Sequence, residues 1–247
     1  MSISRSVYYY KSIKDDAEVI NKLKELSINY PKRGCDKFYD TIRLEGIKWN
    51  YKRVRRVYCL MKLNLKRKSK RRLPARVKLS LIRPSSINST WSMDFMSDAL
   101  VSGRKIRVFN VMDDYNREAL CIEPATSLPA ERITRILDDI IDWRGIPSQI
   151  RVDNGPEFTS FAFAEWCRSK GITIKYTQPG KPMQNGFIER FNRTYREEIL
   201  DAYLFDELDQ VKILSEDWME EYNHKRPHES LKGLSPKKYL ERNLVLN

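Results

Sequence analysis

Three carboxylates sit in settings where a charge needs a reason. Asp94 lies in "STWSMDFMSD" (89–98), crowded by Trp91, Met93, Phe95 and Met96 in what reads as a buried strand. Burying an unpaired carboxylate costs several kcal/mol unless a cation or a hydrogen-bond network compensates it. Asp94 therefore either faces water at a strand end or works with something positive. Asp153, in "RVDNGPEF", closes an apolar strand and precedes Asn154–Gly155, a turn pair that exposes the aspartate at the edge of a sheet. Glu189 belongs to "MQNGFIERFNRTYREEIL", where Phe187, Ile188, Phe191, Tyr195 and Ile199 share one helical arc and Glu189, Arg193 and Arg196 lie opposite. An ion pair one turn along, with Arg193, explains Glu189 equally well. Singly, none of the three specifies a function; 58 residues separate Asp94 from Asp153, and 35 separate Asp153 from Glu189.

The elements that must position them follow from periodicity. Strands are expected at 89–97, 105–112 and 118–124, with "DDYNRE" (113–118) as a hairpin turn. A helix from Pro129 to Trp143 is stopped by Gly145 and Pro147, and is followed by a strand at 148–153, a helix at 158–170 and a strand at 172–177. Helices start near Gln184 and span 206–223. Three consecutive strands followed by alternating helices and strands imply a mixed α/β sheet flanked by helices. Ahead of it, helices are expected at 14–28, 33–45 and 50–63. In the third, Asn50 is placed as N-cap and Val54, Val57, Tyr58 and Met61 form the buried stripe, while Lys52, Arg53, Arg55, Arg56 and Lys62 occupy the other face.

Charge divides the chain unevenly. Residues 1–90 carry 24 Lys and Arg against 7 Asp and Glu, a balance of +17, whereas residues 91–247 carry −4, giving +13 overall. A basic excess of that size points to a polyanion, most often nucleic acid. The run 66–87, with two prolines and no periodicity, reads as a basic linker. Four scattered cysteines, at 35, 59, 121 and 167, include no C-x-x-C pair and have neither His224 nor His228 nearby, so a zinc site is not expected. No apolar run approaches membrane-spanning length and the N-terminus lacks a signal-peptide pattern, which leads to the expectation of a soluble cytoplasmic protein with no membrane partner.

In this order and spacing, "WSMDFM", "RVDNGPEF" and "GKPMQNGFIERFNRTYREEIL" resemble the Asp-Asp-(35)-Glu signature of the retroviral-integrase superfamily. They are more closely similar to the integrase-core transposases of bacterial insertion sequences, and "YNHKRPHESLKGLSPKKYL" resembles the ending of those transposases. The resemblance implies an RNase H-like five-stranded sheet in a core at 88–223, after a helix-turn-helix-like DNA-binding region at 1–65 and a linker at 66–87, with a C-terminal tail at 224–247. It further implies that Asp94, Asp153 and Glu189 converge as catalytic residues and as ligands to Mg²⁺ or Mn²⁺, two ions per site with Asp94 bridging, since carboxylate oxygens suit hard cations. The activity implied is metal-dependent DNA cleavage and strand transfer by water or a 3′-hydroxyl in DNA transposition.

Duplex DNA is then the partner, contacted by Lys52, Arg53, Arg55 and Arg56 and, around the site, by Lys181, Gln184, Asn185, Arg190 and Arg193; ion pairing with Glu197 is the alternative for the last two. A homo-oligomer on DNA, an association with the bacterial nucleoid and a fusion to, or partnership with, an upstream-frame product belong to the same expectation. Asp113 and Asp114 are assigned to the hairpin turn, Glu157 to a helix N-terminus, and His224 and His228 to structural roles. A regulator with a dead core and a nuclease for RNA in hybrids are the rival readings.

Overall fold

The alternation of apolar residues with period two through 90–125 produces three antiparallel-paired strands, β1 (Thr90–Ala99), β2 (Lys105–Asp113) and β3 (Ala119–Ala125). The structure is a computed structural model that describes residues 15–65, 83–178 and 182–244. The chain divides into two compact units, 1–70 and 71–247. The division falls within the expected linker, 66–87, of which residues 66–82 lie outside the described residues.

The first unit holds α1 (Ala17–Asn29), α2 (Cys35–Leu44) and α3 (Tyr51–Leu60). Asn50 caps α3 by accepting from the Lys52 amide at 2.8 Å. Val54, Val57 and Tyr58 pack with Val19, Leu23, Phe38 and Ile42 in one core, and Met61 lies against it.

In the second unit β1, β2 and β3 are followed by α4 (Ala130–Arg144), β4 (Gln149–Val152), α5 (Phe161–Ser169) and β5 (Thr173–Tyr176). Then come α6 (Gly186–Tyr195), a π turn (Arg196–Leu200), α7 (Leu208–His224) and α8 (Pro236–Leu244). The sheet order is β3-β2-β1-β4-β5; β4 and β5 run parallel to β1, and β2 antiparallel. One face, with Trp91, Met93, Phe109 and Val111, packs on Ile133, Leu137 and Phe163 of α4 and α5. The other, with Met96, Ile106 and Val108, packs on Ile188, Phe191 and Tyr195 of α6 and Trp218 and Tyr222 of α7. Among the described residues no helix is long and apolar enough to cross a membrane.

The turn expected at "DDYNRE" forms between β2 and β3, but the side chains of Asp113 and Asp114 are fully buried. Asp113 ends β2, accepts from the amides of Asn88 and Tyr115 and pairs with Arg144 at 3.2 Å, while Arg144 also reaches Glu118 at 2.8 Å and Asp114 pairs with Arg151 at 2.7 Å. Each buried acid has a cation, and Asp113 has two amide donors as well. Glu157 does not start a helix; α5 begins at Phe161 behind the Ser160 cap, and Glu157 pairs with Arg107. Within the expected C-terminal tail, α8 packs onto the core through Lys237–Glu118 and the Tyr239–Tyr115 ring contact.

Candidate active site

The even-numbered residues of β1 face α6, so the alternation that buries Met96 also aims Asp94 at that helix. β4 pairs parallel to β1 with Trp91 opposite Ile150 and Ser92 opposite Arg151. Continuing that register sets Asp153, the residue after β4, beside Asp94 on the same face. Glu189 comes from the first turn of α6, on the exposed side of a helix whose Ile188, Phe191 and Tyr195 are buried. Two strands and a helix thus bring the three expected acids together.

Their electrostatics record this proximity. Burial, then the charges of Asp153 and Glu189, push the Asp94 carboxyl up to about 6, against opposing hydrogen bonds from the Phe95 amide and Asn192. Asp94 Oδ1 accepts from the Phe95 amide and Oδ2 from Asn192 Nδ2, both at 2.8 Å. Asn192 Oδ1 in turn accepts from Asn110 Nδ2 at 2.8 Å, and Asn110 is the β2 partner of Asp94. This buried amide chain, absent from the expected site, orients the carboxylate. Its signals were two polar residues, Asn110 and Asn192, in otherwise apolar stripes.

Asp153 and Asn154 are exposed. Asp153 Oδ1 accepts from the Gly155 amide at 2.9 Å, and a Cβ at Gly155 would stand 2.9 Å from that same oxygen, closer than side-chain atoms tolerate. Glycine there lets the turn fold under the carboxylate.

The donor set fits a hard divalent cation. Three carboxylates repel one another on one face, and the Arg151 guanidinium on that face is committed to Asp114. As they stand, no three acidic, histidine or cysteine side chains among the described residues are close enough to grip an ion.

The expected DNA contacts divide. Arg190 and Arg193 are exposed, and among the described residues no ion pair ties them to Glu189 or Glu197. Gln184 accepts from the Gln178 amide at 2.8 Å, and with Lys175, Thr177 and Arg151 lines a groove of about 290 Å³. Asn185 is buried, with Oδ1 unpartnered. Lys181 lies outside the described residues. In the first unit Lys52 and Arg55 are exposed, whereas Arg53 and Arg56 grip Asp16 at 3.1 and 2.7 Å. His224 lies 3.6 Å from Glu220, and His228 packs edge-on against Tyr222.

Comparison with known proteins places this arrangement. Residues 84–182 and 170–236 each match a family described as Integrase core domain. The 31.7 kDa protein of insertion element IS407 from Burkholderia multivorans is 35% identical over 241 residues, covering 97% of this chain and 87% of that protein. The chain belongs to the insertion-sequence transposases with an integrase-like core. This transposase is also 36% identical over 218 residues to the 39.2 kDa protein of insertion element IS476 from Xanthomonas euvesicatoria, covering 88% of this chain and 63% of that protein. The simian T-cell lymphotropic virus intasome, solved in complex with PP2A regulatory subunit B56 gamma, shares its fold, with a TM-score of 0.50 and 18% identity over 83% of this chain and 69% of that chain. The transposase core is therefore RNase H-like.

Proposed function

We propose that the chain cleaves DNA at the ends of a mobile element and joins the resulting 3′-hydroxyl to a second phosphodiester. The observation that carries this is the shared face of Asp94, Asp153 and Glu189, read off the β1–β4 register and the mutual repulsion felt at Asp94, in a chain of transposase kinship.

Asp94, Asp153 and Glu189 are the residues that would hold Mg²⁺ or Mn²⁺, two ions in the full arrangement. Bound there, such ions make water or a 3′-hydroxyl a stronger nucleophile and offset charge on the leaving oxygen. The chain's own residues supply the geometry: Asn110 and Asn192 fix the Asp94 carboxylate, the Gly155 amide holds Asp153, and the buried stripe of α6 anchors Glu189. Arg190 and Arg193, exposed beside Glu189, present cations to the phosphate backbone. Lys52 and Arg55, exposed on α3, are the cations that helix offers duplex DNA, and a homo-oligomer on two element ends, with or without an upstream-frame partner, is the working assembly.

The test is strand joining on a labelled branched DNA that mimics the joined product, with Mg²⁺ or Mn²⁺. Joining that disappears with EDTA supports the proposal; a folded, DNA-binding chain that joins nothing in either metal refutes it. Cleavage confined to RNA in hybrids would favour the nuclease reading.

Asn192 acts here as a positioning residue. Asn192→Ala is expected to raise the Mg²⁺ concentration for half-maximal joining by about tenfold to a hundredfold, the usual cost of losing a residue that orients a ligand. Circular dichroism and DNA affinity should stay at wild-type values; an unchanged metal dependence would remove Asn192 from the site.

A further inference from the structure

The expected linker is rich in cations, yet its last one is turned inward. Arg83 Nε donates to the Tyr115 carbonyl at 3.0 Å, and its guanidinium lies 5.3 Å from the Tyr115 ring centre and 4.6 Å from that of Tyr239. The two rings meet edge to face at 5.9 Å. Tyr115 belongs to the β2–β3 turn and Tyr239 to α8, so two distant parts of the chain close on one arginine. Both sides are held firmly. Lys237 pairs with Glu118, Asn116 donates to the Pro236 carbonyl at 3.4 Å, and the His228–Leu234 bridge folds the approach to α8. Past Arg83, the next anchor is Asn88, whose amide donates to Asp113 and whose side chain donates to the Arg144 carbonyl; Ser85, Ser86 and Ile87 between them are exposed.

A solvated linker cation would not be enclosed by two tyrosines and a carbonyl. We propose that α8 and the β2–β3 turn form a clasp that fixes the point at which the basic segment joins the catalytic core. The presenting role rests on the transposase reading above: DNA held by the basic segment and the first unit reaches the acids from one set root. Opening the clasp moves that root to Asn88 and releases residues 83–87, lowering the effective concentration of bound DNA at the site. Tyr239 is half-buried, so its ring can be removed without hollowing the core.

The full chain is compared as wild type, Tyr239→Ala and Tyr239→Phe, by amide hydrogen exchange and by steady-state joining on the branched DNA. Tyr239→Ala is expected to speed exchange about tenfold at the amides of Tyr115 and Asn88, both bonded to the Asp113 carboxylate beside the clasp, with the amides of β1 unchanged. It should raise KM for DNA about threefold to tenfold with kcat preserved. Tyr239→Phe, which keeps the ring, should match wild type in both. Unchanged exchange in Tyr239→Ala overturns the clasp; faster exchange with an unchanged KM overturns its part in presenting DNA. Should Tyr239→Ala misfold, Arg83→Gln opens the clasp from its other side and is held to the same outcomes. Absence of joining by wild type would refute the transposase reading, while the exchange comparison would still decide the clasp.

Discussion

Asp94→Asn is expected to abolish strand joining and, in the metal-free chain, to raise the melting temperature. The two effects share one cause. Burial and the charges of Asp153 and Glu189 hold the Asp94 carboxyl at about 6, above its ordinary 3.8. The folded chain therefore takes up a proton more readily than the unfolded one, and ionised Asp94 costs stability at pH 7. Neutralising it should return on the order of 1–2 kcal/mol, or roughly 2–8 °C for a chain of this size. In wild type the same penalty fades as pH falls from above 6 toward 4, so the advantage of Asp94→Asn should shrink over that window. Joining should fall about a thousandfold or more, since a lost ligand forfeits several kcal/mol of charge stabilisation in the transition state. Glu189→Gln should lose joining to a similar extent while binding DNA normally, with a smaller gain in stability than Asp94→Asn, because Glu189 is exposed and only its repulsion of Asp94 is relieved. Calorimetry at pH 7 and pH 5 alongside the joining assay checks all three; an Asp94→Asn chain less stable than wild type at pH 7 would contradict the assignment of Asp94 as an uncompensated charge.

Arg144→Ala should be the most destabilising single change in the core unit. Its side chain is 7% exposed and bridges Asp113 and Glu118, which are 0% and 1% exposed. Removing the guanidinium leaves buried Asp113 without its cation and Glu118 with Lys237 alone, a loss of about 3–5 kcal/mol, or roughly 6–20 °C in melting temperature. The pH dependence should carry the signature of the mechanism. The Asp113 carboxyl already lies above its ordinary range through burial, with Arg144 among the groups opposing that rise. Without Arg144 it moves further up, so the variant should regain stability as pH falls below neutral. Thermal denaturation between pH 5 and pH 8 tests this; a loss within about 0.5 kcal/mol, the scale of an ordinary surface change, would show that the network is dispensable.

These two sites mark where the sequence was legible and where it was not. Period-two and period-3.6 stripes identify the strands and helices because each element buries one face, and that alternation alone marks Asp94 as an intruder in β1. The family signature then selects Asp153 and Glu189. Asn110 and Asn192 escaped because an amide in an apolar stripe has no meaning until its partner, 82 residues away, is known. The turn at "DDYNRE" was legible from its composition, but the burial of Asp113 and Asp114 was not, since it depends on Arg144 and Arg151, supplied by later elements. The helix α8 was missed because its docking surface, Glu118 and Tyr115, is distant in the chain.

The β1–β4 register also constrains how the gene can change. Asp94 and Asp153 share a face only while the residue parity of each strand is kept, because successive strand residues point to opposite faces. A single-codon insertion inside β4 would turn Asp153 toward α5, whereas one at Ser102, in the exposed turn between β1 and β2, would alter the same residue count and leave both acids in place. Descendants of this gene are therefore free to drift in the length between the two aspartates, but only through codons gained or lost outside the strands.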